Sequence, residues 1–290
     1  MKILNFGSLN IDHVYQVEHI VRPGETIPSA SYQVFAGGKG ANQSAALGRA
    51  GAQVFHAGRV GPEGQWLVDK LRDLGVDMGF TAMGQDPTGH ALIQVDRDGR
   101  NAIVLFAGAN RAITEEQIAA TLAHFGPGDL LLLQNEINQL PRLIRAAVAR
   151  GMRVCFNPAP FTEEVPGYPL GEVDILVVNE HEGRGLSGQS EPEGILAELA
   201  VRYPEALLVL TLGAQGAWYR SPQESFHVPA QPVKAVDTTA AGDTFIGYFL
   251  AGLSQNLPPR QALERASRAA ALCVTRPGAM DSIPAAAEVG

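Results

Sequence analysis

The feature that most constrains the fold is a series of short apolar runs that alternate with helix-like segments. The runs occupy residues 3–6, 130–133, 154–156, 175–178 and 207–210. Each is continuous and rich in Val, Ile or Leu, as in strands buried on both faces of a parallel sheet. Helix-like segments lie at 41–50, 65–74, 114–124, 140–150 and 193–203, with two more near the end of the chain. This alternation predicts an α/β fold with a mostly parallel central sheet covered by helices on both faces.

Two segments, 11–35 and 79–106, depart from this rhythm. Both show strand-like alternation and turn signals, among them the hairpin dipeptide Asp98-Gly99. They predict a small second sheet outside the main one, within a single domain covering residues 1–290. Such a sheet could act as a lid over a cleft, or it could be a hairpin without a role in function.

Composition excludes several classes of protein. The 290 residues are 46% hydrophobic, which supports a large core, and no run reaches the length of a membrane span. The formal net charge of −8 gives no reason to expect nucleic acid or an anionic membrane as a partner. Cys155 and Cys273 have no metal-binding spacing, and the first residues do not form a signal peptide. A cytoplasmic protein is expected.

Polar residues follow several of the apolar runs. They lie at 8–12, 134–136, 179–182 and 211–216. In a doubly wound sheet, ligands bind outside the carboxyl ends of the strands. One polar strand end is an ordinary loop, but several together predict a shared binding site at one edge of the sheet.

The segment from Asp237 to Phe245 has the chemistry of a phosphoryl-transfer site. It holds two carboxylates six residues apart, and Asp243 begins an apolar, helix-like run. The free N–H groups of residues 241–243 can bind an anion beside a carboxylate base, as transfer of a phosphoryl group to a hydroxyl requires. Taken alone, the segment is more typical of a capped helix, because Asp is ordinary at a helix start.

A second glycine-rich segment spans residues 36–42. It is not a Walker loop, because Gly40 follows Lys39, and it is not a GxGxxG motif, because Gln43 stands at the last glycine position. Its glycines allow backbone to approach a ligand closely, and Asn42 can both donate and accept hydrogen bonds. A flexible turn is the alternative for this segment alone.

Together, residues 36–42 and 237–245 resemble the two signatures of the PfkB family of carbohydrate kinases. Further segments resemble the ribokinase subfamily in the same order, at 7–13, 23–26, 107–110, 157–160, 211–213 and 274–276. The resemblance implies a ribokinase-like three-layer α/β/α sandwich with a small β-sheet lid. It also implies ATP-dependent phosphorylation of a sugar hydroxyl, with conversion of D-ribose to ribose 5-phosphate as the first expectation.

The resemblance also implies roles for individual residues. Asp243 stands at the position of the general base, and the backbone of Ala240, Ala241, Gly242 and Asp243 at the anion hole. The implied sugar pocket consists, beside Asp243, of Asn10, Asp12, Gly38, Lys39, Asn42 and Glu136. The implied nucleotide site consists of Asn179, Thr211, Gly213, Gly216, Gly242 and Ser267. Ser267 departs from the subfamily pattern, which has a His there.

Two cations are implied in the same way. Glu182 stands at a position associated with Mg²⁺, although an acidic residue is also ordinary at a helix start. The expected ligands of a monovalent cation, normally K⁺, are Asp237, Thr239, Cys273, Arg276, Gly278 and Ser282, mostly through backbone carbonyls. For Asp237 a local turn is the alternative. The resemblance further implies a homodimer that pairs through the lid.

Other functions stay open at this stage. A PfkB kinase could act on fructose, another sugar, a nucleoside or a sugar phosphate, and Arg22, Arg97, Arg100 and Arg111 lie in or near the lid. A catalytically silent protein that binds sugar or nucleotide is the alternative of a different class. The presence of Asp243 argues against a silent protein, and the missing GxGxxG argues against a dehydrogenase.

Overall fold

The computed structural model describes all 290 residues and has two sheets. The strands are β1 Ile3–Phe6, β2 Asn10–Gln16, β3 Ser31–Gly37, β4 Val54–Val60, β5 Asp77–Met83, β6 Gly89–Val95, β7 Asn101–Phe106, β8 Leu130–Gln134, β9 Arg153–Asn157, β10 Ile175–Asn179, β11 Leu207–Thr211, β12 Ala217–Arg220 and β13 Ser225–Val228. The α-helices are α1 Lys39–Arg49, α2 Gln65–Asp73, α3 Glu115–Leu122, α4 Leu140–Val148, α5 Glu180–Ser187, α6 Pro192–Arg202, α7 Ala241–Ser254, α8 Pro259–Cys273 and α9 Ala286–Val289.

The main sheet has nine strands in the order β13-β12-β11-β10-β9-β8-β1-β4-β5. Pairing is parallel from β5 to β11, and β12 and β13 continue the sheet in antiparallel fashion. The predicted apolar runs form β1, β8, β9, β10 and β11, which lie side by side in the middle. Their position explains why they are apolar on both faces.

Alternate residues of the central strands enter two separate hydrophobic clusters. Ile3, Leu130 and Val177 pack with α1, α7 and α8 in a cluster of 39 buried residues. Leu4, Leu131 and others pack on the opposite face with α3, α4 and α6 in a cluster of 30. The chain therefore forms the expected three-layer α/β/α sandwich, because consecutive strand residues point to opposite faces.

The second sheet has four strands in the order β3-β2-β6-β7, and we call it the lid. The lid prediction is wrong for residues 79–83, which belong to β5 and pair in parallel with β4 at the edge of the main sheet. An edge strand that is exposed on one face has the same alternation as a lid strand, so the pattern did not separate the two.

Three strands of the main sheet do not follow from the sequence patterns. They are β4, whose apolar character is broken by His56, Gly58 and Arg59, and the hairpin of β12 and β13. No helix in this structure combines the length and the apolar character needed to cross a bilayer.

Candidate active site

The polar strand ends lie next to each other because β11, β10, β9, β8 and β1 are neighbours in the sheet. Four of these strands run directly into polar segments that the sequence analysis singled out. Helices α1 and α7 pack against each other on one face, and both begin at this edge. Their close approach depends on Gly247, where an added Cβ would collide with Ala46.

Asp243 lies in the first turn of α7 and is only 7% exposed. Its Oδ1 accepts a hydrogen bond from Gln43 Nε2 at 2.9 Å, and its Oδ2 accepts one from Asn42 Nδ2 at 3.2 Å. Both donors belong to α1, so the two glycine-rich segments meet at this carboxylate. The two N–H donors fix the orientation of this carboxylate, and a carboxylate in a fixed orientation can accept a proton from a hydroxyl.

The start of α7 has free backbone donors at the position where the sequence predicts an anion site. Ala240 is in the left-handed region, with φ 61°, and α7 begins at Ala241, so the first N–H groups of the helix lack intrahelical partners. Ala241 N–H bonds to Thr238 O at 3.3 Å. An anion therefore finds its free donors at Gly242 and Asp243, at the positive end of the helix dipole. A Cβ at Gly242 would project into open space.

The polar pocket next to Asp243 draws on the lid and on α1. Asn10 and Asp12 lie on the same face of β2, and Asn10 Oδ1 accepts a hydrogen bond from Asn110 Nδ2 at 2.8 Å. Asp12 occupies space that any side chain at Gly37 would fill. Burial, together with repulsion from Glu136, raises the pKa of Asp12 to about 7.

Glu136 follows β8 and interacts with the start of α1. Its Oε2 accepts hydrogen bonds from Ser8 Oγ and from Lys39 N–H, the latter at 2.9 Å. Gly38 precedes this helix with φ 91°, a conformation that favours glycine. Burial raises the pKa of Glu136, although Lys39 opposes the change. Glu136 therefore caps α1 as well as facing the pocket.

Lys39 has a more specific environment than its sequence context indicated. The negative charge of Asp243, and secondly those of Glu136 and Glu182, raise the pKa of Lys39 despite its burial. A lysine held among three carboxylates at the edge of the sheet is a fixed positive charge. It can compensate the charge of a phosphate that approaches α7.

A cavity of about 820 Å³ opens on the other side of the α7 N-terminus. Its volume is that of a typical cofactor site. All six residues of the expected nucleotide site line it: Asn179, Thr211, Gly213, Gly216, Gly242 and Ser267. Apolar residues complete the wall, among them Val233, Phe245 and Val274, which suit a planar base.

Glu182 has the role of a helix cap. Its Oε2 and Oε1 accept hydrogen bonds from the backbone N–H and Nδ2 of Asn179, both at 2.8 Å, and Asn179 Oδ1 accepts one from Glu182 N–H. Burial raises the pKa of Glu182. Because both oxygens already have donors, the residue fits a magnesium ion held through water better than one bound directly. No cluster of three or more His, Cys, Asp or Glu side chains exists that could hold a metal ion.

The residues expected to surround a monovalent cation come from residues 237–239 and 273–282, and hydrogen bonds of Asp237 connect these two stretches. Asp237 Oδ1 accepts hydrogen bonds from Thr239 N–H and Oγ1 at 2.9 and 2.6 Å, and Oδ2 accepts one from Gly278 N–H at 2.9 Å. Burial alone would raise the pKa of Asp237, but these bonds outweigh it and lower the pKa. The local turn bonds of the alternative interpretation are therefore present at Thr239. The bond from Gly278 joins this turn to the segment that follows α8.

Cys273, Ser282 and Arg276 lie beside this loop. Cys273 Sγ contacts Ser282 Oγ at 3.0 Å and Thr239 O at 3.8 Å. Arg276 directs its guanidinium away, to Glu288 at 2.5 Å. A carboxylate beside turn carbonyls is a donor set suited to a monovalent cation, whereas the Arg276 side chain takes no part in it.

Sequence reasoning missed several residues that the site contains. Gln43 bonds to Asp243, Ser8 bonds to Glu136, and Asn110 bonds to Asn10. Gln134 and Asn157 both bond to Gln43. Ser8, Asn110 and Asn157 lie within segments that carry the family resemblance, Gln43 directly follows residues 36–42, and Gln134 ends β8. A polar residue at such a position has no signal that separates it from its neighbours.

The geometry defines a phosphotransferase site, since a nucleotide-sized cavity reaches a helix N-terminus beside a buried carboxylate. Comparison with known proteins agrees with this class. The model of the pfkB family of carbohydrate kinases matches residues 1–286. The ribokinase of Haemophilus influenzae is 34% identical over 287 residues, which cover 96% of this chain and 94% of that protein.

Solved structures show the same similarity. A Cryptococcus neoformans ribokinase in complex with ADP has a TM-score of 0.86 at 34% identity and covers 99% of this chain and 98% of its own. An Arabidopsis thaliana ribokinase complexed with ribose and ATP has a TM-score of 0.90 at 29% identity, with coverage of 99% and 97%. The chain belongs to the pfkB family of carbohydrate kinases. It is an ATP-dependent kinase that transfers a phosphoryl group to a sugar hydroxyl.

Proposed function

We propose that this kinase converts D-ribose and ATP to ribose 5-phosphate and ADP. The observation that carries the proposal is the position of Asp243, a buried carboxylate between the nucleotide cavity and the polar pocket of Asn10, Asp12 and Glu136. The similarity to ribokinases over nearly the whole chain supports ribose as the sugar.

In the proposed reaction, Asp243 accepts the proton of the sugar 5-hydroxyl. The hydroxyl oxygen forms a bond to the γ-phosphorus while the bond from that phosphorus to the bridging oxygen breaks, and ADP leaves with the bond's electrons. The free N–H groups at the start of α7 and the ammonium of Lys39 stabilise the negative charge on the transferred group.

The polar pocket would orient the sugar. Asp12 and Glu136 supply acceptors for neighbouring hydroxyl groups, and Asn42 Oδ1 is buried without a partner in the protein. A buried acceptor without a partner is costly, so a ligand hydroxyl there is favourable. A sugar that lacks one of the hydroxyl groups, such as 2-deoxyribose, should therefore be a weaker substrate.

Cations complete the proposal. A magnesium ion on the nucleotide phosphates would be held near Glu182 through water and would neutralise phosphate charge. A potassium ion would be held by the loop of Asp237, Thr239 and Gly278, next to the anion site of α7. Both assignments rest on the donor sets described above.

We also propose that two copies pair through their lids. The edge strand β7 exposes apolar side chains on both faces, and Val104 is 68% exposed. A long exposed apolar edge is favourable for pairing with a second strand edge.

A sugar phosphate as substrate is less well supported. Its phosphate would need cationic side chains in the lid. Two of the four arginines in or near the lid are already engaged, because Arg97 is ion-paired with Glu18 and Arg100 with Asp96 and Asp98 at 2.8 and 2.9 Å, which leaves Arg22 and Arg111. Arg97 and Arg100 stabilise the lid hairpin.

The test measures ATP consumption with ribose, 2-deoxyribose, fructose, ribonucleosides and sugar phosphates. We expect the highest kcat/KM with ribose, and a loss of about 1–3 kcal/mol in transition-state stabilisation with 2-deoxyribose. Asp243→Asn should abolish turnover and leave ATP binding intact. Near-normal turnover by Asp243→Asn would refute its role as the base. A clear preference for another acceptor would refute ribose as the substrate.

A further inference from the structure

A chain of buried amide side chains runs from the catalytic carboxylate into the protein. Gln43 Nε2 donates to Asp243 Oδ1 at 2.9 Å, and Gln43 Oε1 accepts from Gln134 Nε2 at 2.7 Å. Gln134 Nε2 also donates to Asn5 Oδ1 at 3.0 Å. Asn5, Gln43 and Gln134 are each 0% exposed, so none of them can touch a sugar or a nucleotide.

A backbone carbonyl fixes the direction of every bond in this chain. Asn5 Nδ2 lies 2.7 Å from Gly40 O, which can only accept, so the NH₂ group of Asn5 must face it. Asn5 Oδ1 is then directed at Gln134 and requires its NH₂ group. Because the NH₂ group of Gln134 also lies next to Gln43, it must face the Gln43 oxygen, Oε1. Gln43 Nε2 then faces Asp243.

A second backbone carbonyl, that of Val177, acts through Asn157 and sets the same orientation of the Gln43 amide. Asn157 Nδ2 donates to Val177 O at 3.0 Å, so Asn157 Oδ1 faces Gln43 Nε2, at 3.3 Å. The Asn157 bond to Gln43, at 3.3 Å, is longer than the Gln134 bond, at 2.7 Å, so Gln134 is the stronger of the two constraints on the Gln43 amide. A reversed amide would direct Oε1 at the carboxylate of Asp243.

We propose that Gln134, acting through Gln43, is a positioning residue that holds the Asp243 carboxylate correctly oriented for proton transfer. The inference rests on the proposed role of Asp243 as the base. An N–H donor stabilises a carboxylate in its charged form and fixes its rotamer. Gln43 contacts the base directly, whereas Gln134 acts only by setting the direction of the Gln43 amide.

The experiment is a double-mutant cycle on the intact enzyme. Gln134→Met removes the donor with little change in volume, and we expect kcat to fall about tenfold or more while KM for sugar and for ATP stays within about twofold. Gln43→Met should lower kcat at least as much. The double variant should be no slower than Gln43→Met, because Gln134 has no other route to the base.

Two further variants separate the effect of the hydrogen-bonded chain of Asn5, Gln134 and Gln43, which we call the amide relay, from an effect on packing. Gln117→Met is the matched control: Gln117 donates to Gly58 O in another part of the fold and should keep normal kcat. Gln134→Glu preserves shape but cannot donate as a carboxylate, so it attracts the Gln43 NH₂ group away from Asp243. We expect it to lower kcat as Gln134→Met does, with folded protein verified by circular dichroism.

The outcomes are separable. Normal kcat in both Gln134 variants would overturn the inference. It would also be overturned if the fold-losses in kcat of Gln43→Met and Gln134→Met multiplied in the double variant. Neither result would affect the assignment of Asp243 as the base. Near-normal turnover by Asp243→Asn would instead refute the base assignment itself.

Discussion

Asp12 should make the stability of the ligand-free protein fall as pH rises. Its pKa is raised from 3.8 to about 7, first by burial and second by Glu136. The folded protein therefore favours the protonated acid, whereas the unfolded chain loses the proton near its ordinary pKa. The contribution to stability is complete below about pH 4 and is lost as pH rises through about 7.

The magnitude follows from linkage. Between about pH 5 and pH 7 the unfolded state has released a proton that the folded state retains, which costs about 1.4 kcal/mol per pH unit. The slope halves as pH reaches the folded-state pKa, so the free energy of unfolding should decrease by about 2 kcal/mol over this range because of Asp12 alone. Asp12→Asn cannot titrate, so its advantage over the wild type should grow by the same amount.

Urea unfolding without sugar or nucleotide, followed by circular dichroism at both pH values, measures the effect. Asp73→Asn, at the exposed end of α2, is the control and should run parallel to the wild type. A difference between Asp12→Asn and the wild type that does not change with pH would show that the carboxyl is ionised in the folded state.

Three further predictions concern the anion site, the cation loop and the lid. Gly242→Ala should fold with unchanged or slightly higher stability, since its Cβ meets no atom, yet lose at least about tenfold in kcat because the methyl group enters the phosphate space; steady-state kinetics and thermal melting measure both, and normal kcat would exclude an anion there. Asp237→Asn should remove activation by potassium, which titration of KCl against a large organic cation detects; a wild-type response would exclude the cation site. Val104→Lys should yield monomers in sedimentation experiments, and unchanged mass would mean that pairing does not use β7.

The sequence was most informative where burial is complete. Strands β8 and β10 are continuous apolar runs because both faces are covered, so they were found within a residue of their ends. Strand β4 was not found, because its neighbours accommodate His56 and Gly58 inside the core. The edge strand β5 was mistaken for part of the lid, since half-exposed strands of different sheets share one alternation.

The residues of the candidate site also fall into those that the sequence could predict and those that it could not. The positions of Asp243 and Asn42 could be anticipated because each belongs to a glycine-rich segment with characteristic neighbours, and that of Glu136 because it follows a buried apolar run. The amide relay could not, because Gln43 is 91 residues from Gln134 and 200 from Asp243 along the chain. Only the packing of α1 against β8 and α7 brings these side chains together.

The double role of Glu136 limits how the enzyme can diversify. The same carboxylate faces the proposed sugar pocket and caps the helix that carries Lys39, Asn42 and Gln43, so replacing it to suit another sugar would also disturb the proposed reaction centre. Asn10 and Asp12 extend from β2 and cap no helix. New acceptor specificities within this architecture are therefore expected to arise by changes in the lid, while the pocket wall at Glu136 stays fixed.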